Sequence, residues 1–484
     1  MITFTDALVL PVSADPAAPA WFHGWVHVDS AGLIADLGPG DPPPGLPGTV
    51  HDLGGAILAP GFVSAHSHLF TAGMRGTAPD DTLYGWVSTL GEMMVGAEAE
   101  DLYWFTLAGC LDFLRNGVTS AYNFTQSRVV AVFDHASSTL VAERVHDIDF
   151  LTRQIDAQAD SGLRCVTSTR LDDEQLPEAE CFDAFAHVTE HRLRTVPREL
   201  DLGGSVFGSV QWSSSPITAE RERHAMATHG VGNQAHFVET AEHLEVQRAK
   251  FDWYDRAGVL GPDFAFGHFV HPTDHMVRRV AETDSAVIWQ ATSNGRLGSG
   301  IADITRYRDA GIRVGMGLDD QSCTDVSDPF QNMRIGLYTQ RAVHCDAAVL
   351  AAREVLHMHT LGAADALGLS DRVGSVEVGK HADLVVVDPT SPATGPIWDP
   401  VATYVLACSL RNLTHVYVGG RLVAEGARSL HPLADEADAQ LTERMIRSAR
   451  ARGFTPAFHR PASAASTTPA STTPTVTSLI GVPS

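Results

Sequence analysis

The spacing of hydrophobic and polar positions changes character several times along this chain. Over residues 2–58 it predicts short β segments at 2–11, 24–28, 33–37 and 50–58. Gly, Pro and Asp clusters punctuate them, with Asp41-Pro42-Pro43-Pro44-Gly45 the plainest loop. A second β-rich stretch covers 373–388 and resumes at 414–423. Between the two, helical and strand patterns alternate. Residues 101–116 set Leu102, Phe105, Leu107, Leu111 and Leu114 at helical spacing and stop at Gly117, and 118–123 then reads as a strand. Further strands are predicted at 163–168, 205–211, 232–236, 264–269, 286–290 and 312–318. Strands alternating with helices imply an α/β fold with a parallel sheet, and about eight such units in roughly 310 residues fit a (β/α)8, TIM-like barrel. In that architecture the C-terminal ends of the strands carry the chemistry, and polar residues gather at those ends here.

The most informative strand end follows Ala56-Ile57-Leu58-Ala59 and reads Pro60-Gly61-Phe62-Val63-Ser64-Ala65-His66-Ser67-His68. Residues two apart on a strand share a face, so His66 and His68 can point at one ion while Ser67 turns away. On a helix the same spacing sets the rings roughly 200° apart. His357-Met358-His359 lies in a helical pattern and is not expected to chelate. Other candidates end later strands: His236 with Glu239 three residues on, His268, and the adjacent Asp319 and Asp320. Strand alternation lets only one of those two aspartates face the barrel axis.

Composition narrows the functional classes. A formal net charge of −24 argues against nucleic acid and against anionic membranes as partners. Six cysteines without C-x-x-C spacing suit a reducing cytoplasm, and residues 1–21 lack a basic start and carry Asp6 and Asp15, unlike a signal peptide. There is no apolar run of about 18 residues to span a membrane. Residues 461–484, rich in Ala, Ser, Thr and Pro, read as a disordered tail.

The Pro60–His68 motif resembles the first-strand metal motif of the amidohydrolase superfamily, in the branch of cytosine, guanine and adenosylhomocysteine deaminases and triazine hydrolases. The resemblance extends to about Gly426. It implies a barrel at 59–371 inserted into a small β-sandwich built from 1–58 and 372–430, followed by a helical segment at 431–459 and the tail at 460–484. It also implies the metal ligands His66, His68, His236 and Asp319, with Asp319 as the base for water, Glu239 as proton shuttle and His268 orienting water and substrate. Three imidazoles and a carboxylate suit one divalent ion, zinc by expectation and iron as the alternative. Binuclear relatives use a carboxylated lysine on strand 4. The only lysines here, Lys250 and Lys380, are remote from that strand in sequence, so one ion is expected.

The resemblance implies hydrolysis at an sp² carbon, in which a metal acidifies water and Glu239 protonates a ring nitrogen and then the leaving amine. Arg75 and Trp86 fit the loop after strand 1 of the thioadenosine and adenosylhomocysteine deaminases. The acidic residue that those enzymes use on ribose has no counterpart, since Met94 or Val95 stands there. Gln211-Trp212-Ser213 replaces a strand-4 histidine, with Trp212 available to stack on a flat ring. Trp289-Gln290-Ala291-Thr292-Ser293-Asn294 departs from His-Asn-Pro-x-Ser-Asn, leaving Gln290 and Asn294 to read ring amides. Asp320 stands where many relatives have Gly and is expected to touch substrate. The expected function is therefore a metal-dependent deaminase of an N-heterocycle, a free base or modified ring and not a simple nucleoside. The alternatives are cleavage of a ring C–N bond or displacement of another substituent, and, in another class, a non-catalytic barrel scaffold. A homodimer or larger homo-oligomer is expected from family habit alone.

Overall fold

The computed structural model describes residues 1–459 apart from 135, 137, 138 and 392, so the predicted tail lies outside the described residues. Eight parallel strands form the barrel wall: Phe62–His68, Val118–Phe124, Arg164–Thr169, Asp201–Gly208, Gly232–Phe237, Phe264–His268, Ala286–Trp289 and Arg313–Met316. Each pairs in parallel with its successor. After Met316 the chain passes through Gly317-Leu318 into Asp319–Asp320, which pairs with the first strand at Ser67 and His68. The region expected as one strand at 312–318 thus changes partner at Gly317, and the change closes the barrel. Its interior is filled by Val63, Ala65, Tyr122, Val166, Ala265, Ala286 and Ile288, packed with Ala363, Ala364 and Leu369.

The two chain ends meet in a second sheet. Ile2–Val9 runs parallel to Ile57–Pro60, which pairs antiparallel with Leu384–Val387, and Leu413–Val418 and Arg421–Glu425 extend the sheet. Phe4, Val26, Leu58, Leu384, Val386 and Tyr417 form its core. Because Ile57–Pro60 belongs to this sheet and Phe62 begins the barrel, the strand that carries His66 and His68 is anchored at its base. A buried ion pair ties the two parts together. Arg164 on the third barrel strand donates to both oxygens of Asp383 at 2.7 and 3.1 Å, and Asp383 also accepts from the Gly419 amide at 2.8 Å.

Several predicted boundaries move. The expected strand 50–58 splits into Thr49–Asp52 and Ile57–Pro60, because Gly54 and Gly55 take positive φ. Only Leu384–Val387 of the stretch 373–388 is a strand. The expected strand 205–211 is Asp201–Gly208, and Val210–Trp212 is a 3-10 turn. An antiparallel hairpin, Val129–Asp134 with Thr139–Val145, follows the second barrel strand and was not foreseen. Among the described residues no helix is long and apolar enough to cross a membrane.

Candidate active site

The first strand delivers His66 and His68 to one point, as the period-2 argument requires. Nε2 of His236, on the fifth strand, lies 3.0 Å from Nε2 of each. Asp319 Oδ1 is 3.5 Å from His66 Nε2 and 3.8 Å from His68 Nε2. Two glycines make the convergence possible: a Cβ on Gly267 would stand 2.7 Å from the His66 ring, and one on Gly317 2.6 Å from His66 Cβ. Phe124 stacks on His68, with centroids 4.8 Å apart, and packs against His66 and His236, holding the rings in place.

These four side chains fit a cation. His66 Nδ1 donates to Gln234 Oε1 at 2.5 Å, so its Nε2 turns a lone pair inward. Burial, and then the neighbouring His66, push His68 down to about 3, and His236 is pushed well below the ordinary histidine range for the same reasons. Burial opposes ionisation of Asp319, but the imidazoles of His66, His268 and His68 around it outweigh that and hold the carboxyl well below its usual range. Neutral imidazole nitrogens packed at 3.0 Å cannot all satisfy one another, since His236 Nε2 can donate to only one of its two neighbours. A tetrahedral ion with ligands at about 2.0–2.1 Å would set them roughly 3.4 Å apart, close to what is found. The four ligand atoms all lie within 4.8 Å of one another.

The other predicted catalytic groups adjoin this cluster. His268 Nδ1 lies 3.5 Å from Glu239 Oε1, and His268 Nε2 lies 3.8 Å from Asp319 Oδ2. Asn294 donates to His268 Nδ1 at 2.9 Å, which leaves Nε2 as the protonated nitrogen facing Asp319. His268 is pushed down to about 3 by burial, so it acts here as a neutral donor. Glu239 is 1% exposed and neither of its oxygens has a hydrogen-bond partner among the described residues. Burial, with Asp319 and Asp320 adding to it, raises its carboxyl well above the ordinary range, so it holds its proton. His268 and Asp319 both take positive φ, 65° and 64°, at their strand ends. That turn overrides the alternation argument at Asp319-Asp320: both carboxyls line the cavity, and not just one.

The cavity holds about 130 Å³ of free space and opens to solvent at its mouth. His68, His236, Glu239, His268, Asp319 and Asp320 form its floor. Its walls are apolar: Trp86, Val87 and Leu90 from the helix Leu83–Met94, Val129, Ala131 and Leu140 from the hairpin, and Phe207, Trp212 and Leu297. Thr125, Gln126, Ser127 and Arg170 add polarity.

Not every predicted substrate contact is brought there. Arg75 is bound to Asp112 at 2.6 Å and is absent from the cavity wall. Gln290 and Asn294 serve His268, Gln290 Oε1 accepting from its amide at 2.8 Å, so both act behind the histidine. Gln211 is buried behind Trp212 with its side-chain amide unpartnered. Lys250, expected far from strand 4, donates to the Gln211 carbonyl at 2.8 Å just past that strand, yet it stands outside the ligand cluster. His359 is engaged with Val63 and Asn332, and neither it nor His357 joins the cluster. Sequence reasoning missed Gln234 and Ser293. Gln234 stands two before His236, on the same strand face, and Ser293 donates to Asp319.

The amidohydrolase family model matches residues 57–423, and the chain belongs to that family. Its family makes it an amidohydrolase-type hydrolase. A 5-methylthioadenosine/S-adenosylhomocysteine deaminase of Syntrophobacter fumaroxidans is 28% identical over 394 residues, covering 80% of this chain and 84% of that one. Two solved structures share the fold. One is an adenosine deaminase from Xanthomonas campestris with bound zinc, with a TM-score of 0.78 and 22% identity over 92% of this chain and 98% of that one. The other is a mutant of atrazine chlorohydrolase from Arthrobacter aurescens complexed with zinc and atraton, with a TM-score of 0.78 and 19% identity over 92% and 100%.

Proposed function

We propose that the protein is a metal-dependent hydrolytic deaminase of an amino-substituted N-heterocycle. The observation that carries this reading is Glu239, a buried carboxyl with no protein partner, held protonated in the cavity floor beside the ligand cluster. A divalent ion held by His66, His68, His236 and Asp319, zinc by the donor set, would supply the Lewis acidity that makes water nucleophilic near neutral pH. Asp319 is ionised and accepts the proton of that water. His268, its Nε2–H fixed by Asn294, orients the attacking oxygen. Glu239 donates to the ring nitrogen next to the reacting carbon. As the C–O bond forms and the C–N bond breaks, Glu239 carries the hydroxyl proton to the amine, ammonia leaves, the ring carbon becomes a carbonyl with the neighbouring nitrogen protonated, and the proton taken up by Asp319 restores Glu239. Trp86, Phe207 and Trp212 supply aromatic walls for a flat ring.

The relatives' names bring nucleosides into the substrate class, against the free-base expectation from the residues alone. Among the described residues lining the cavity the carboxyls are Glu239, Asp319 and Asp320, so sugar hydroxyls would meet Thr125, Gln126, Ser127 or Arg170. The test is ammonia release from purines, pyrimidines, pterins and triazines, with and without ribose, by protein of known metal content. Release from one ring class supports the reading. Silence across the panel by protein with one bound ion per chain would overturn it.

A further inference from the structure

One side chain joins the entrance of the cavity to its catalytic floor. Residues 75–82 connect the 3-10 turn Leu69–Met74 to the helix Leu83–Met94, whose Trp86, Val87 and Leu90 line the cavity. Arg296 holds that connection. Its Nη1 donates to the Ala78 carbonyl and its Nη2 to the Thr77 carbonyl, each at 2.9 Å, while Nε donates to Asp325 Oδ2 at 3.2 Å. Asp325 Oδ1 in turn accepts from the Gly76 amide at 2.6 Å. The guanidinium therefore grips residues 76–78, two of them directly and one through Asp325.

Arg296 is also the last residue of the helix Ala291–Arg296, which carries Ser293, the donor to Asp319, and Asn294, the donor to His268 Nδ1. A helix of six residues is not stable alone, so its orientation is set by what its side chains hold. Its front is fixed by Asn332, whose Oδ1 accepts from the Thr292 amide and hydroxyl at 3.1 and 3.0 Å. Its back is fixed by Arg296, and the next residue, Leu297, belongs to the apolar cluster of Ala78, Leu83 and Trp86. A loop tied to a long helix or a central strand would leave the catalytic groups indifferent to the tie. Here the anchor lies two residues from Asn294 and three from Ser293. We propose that Arg296 is a positioning residue for the reaction, keeping the entrance in register with the helix that aims His268 and Asp319, so that the cavity wall and the proton-handling groups are set together. The rate effect expected of it rests on the deaminase reading.

The test uses the full chain as wild type, Arg296→Ala, Arg296→Lys and Asp325→Ala, loaded with zinc for turnover of the best ring and with cobalt(II) for visible spectra. Small misplacements of catalytic groups are costly, so in Arg296→Ala kcat should fall by about 10- to 100-fold, with KM within about 3-fold and the metal content unchanged. The cobalt band should shift, because Ser293 bears on the proposed ligand Asp319. Guanidinium ion, well below denaturing concentrations, should restore part of the lost kcat in Arg296→Ala and leave the wild type unaffected. Arg296→Lys, which keeps a cationic donor, and Asp325→Ala, which removes one link, should fall between. A rise in KM with kcat unchanged would reduce Arg296 to a loop tie and overturn the inference, as would an unmoved cobalt band or a failure of rescue. If Arg296→Ala does not fold, Arg296→Lys and Asp325→Ala are judged on kcat, KM and the cobalt band. That band does not depend on which bond is cleaved. A shifted band in a protein that releases ammonia from no ring would sink deamination and leave the positioning role standing. Ammonia release with equal kcat in wild type and variants would do the reverse.

Discussion

His66 is held by its neighbours as much as by its strand. Gln234 takes its Nδ1 proton, so Gln234→Ala should weaken metal binding by about 10–100-fold, read as a shift in a chelator titration, with the fold intact by circular dichroism. Gly317→Ala should do the same more severely, because its Cβ would meet His66 at 2.6 Å. The pH profile follows from the carboxyls. Glu239 is raised well above the ordinary range and must be protonated to act, so kcat/KM should fall on the alkaline side as it loses its proton. Asp319 is held low and must be ionised, so the acid limb should lie below the usual carboxylate range. Much of this was legible in the residues: the His-x-His pair and the polar strand ends pointed to the cluster before any geometry. The supporting contacts were not, since Gln290, Ser293 and Asn294 act through a neighbour and their sequence says nothing of which atom they meet.

Among the elements, the site depends on how strand ends are fastened to helices. Glu222, on the helix Ile217–His229, accepts from the Ser209 amide at 2.7 Å and from Asn233 at 2.9 Å, pinning the end of the fourth strand to the start of the fifth. Burial pushes its carboxyl up to about 7 from 4.5. Between those values the folded state binds a proton that the unfolded state has released, so stability falls as pH rises through the window, by about 3 kcal/mol in all. Glu222→Gln can pair with Asn233 Oδ1, which lacks a partner, and removes the titration. Its unfolding free energy should gain on the wild type by up to about 3 kcal/mol between pH 4.5 and 8, measured by urea denaturation. The hairpin Val129–Asp134 with Thr139–Val145 was the element least visible in advance. Its alternation is short and follows a barrel strand directly, where a helix is the expected continuation, yet Val129, Ala131 and Leu140 form one cavity wall.

For the whole molecule, the barrel and the sheet of chain ends share Pro60-Gly61 and the Arg164–Asp383 pair. Removing one partner of a buried pair leaves a charge unmatched, so Asp383→Ala should cost about 3–5 kcal/mol in denaturant unfolding. The joint replacement Arg164→Met with Asp383→Leu should recover most of that loss. The barrel itself was legible from the alternation of periods. The pairing of the two ends was not, because Ile57–Pro60 and Leu384–Val387 lie more than 300 residues apart in sequence and nothing local in either names its partner. The proposed reaction removes ammonia from a ring at this barrel end, with Glu239 carrying the proton. The most direct measurement is ammonia release from the best ring by wild type and Glu239→Gln, each loaded with one equivalent of zinc. The wild type should release ammonia, and the variant should lose about 100- to 10,000-fold with zinc retained. Equal rates in the two proteins would contradict it.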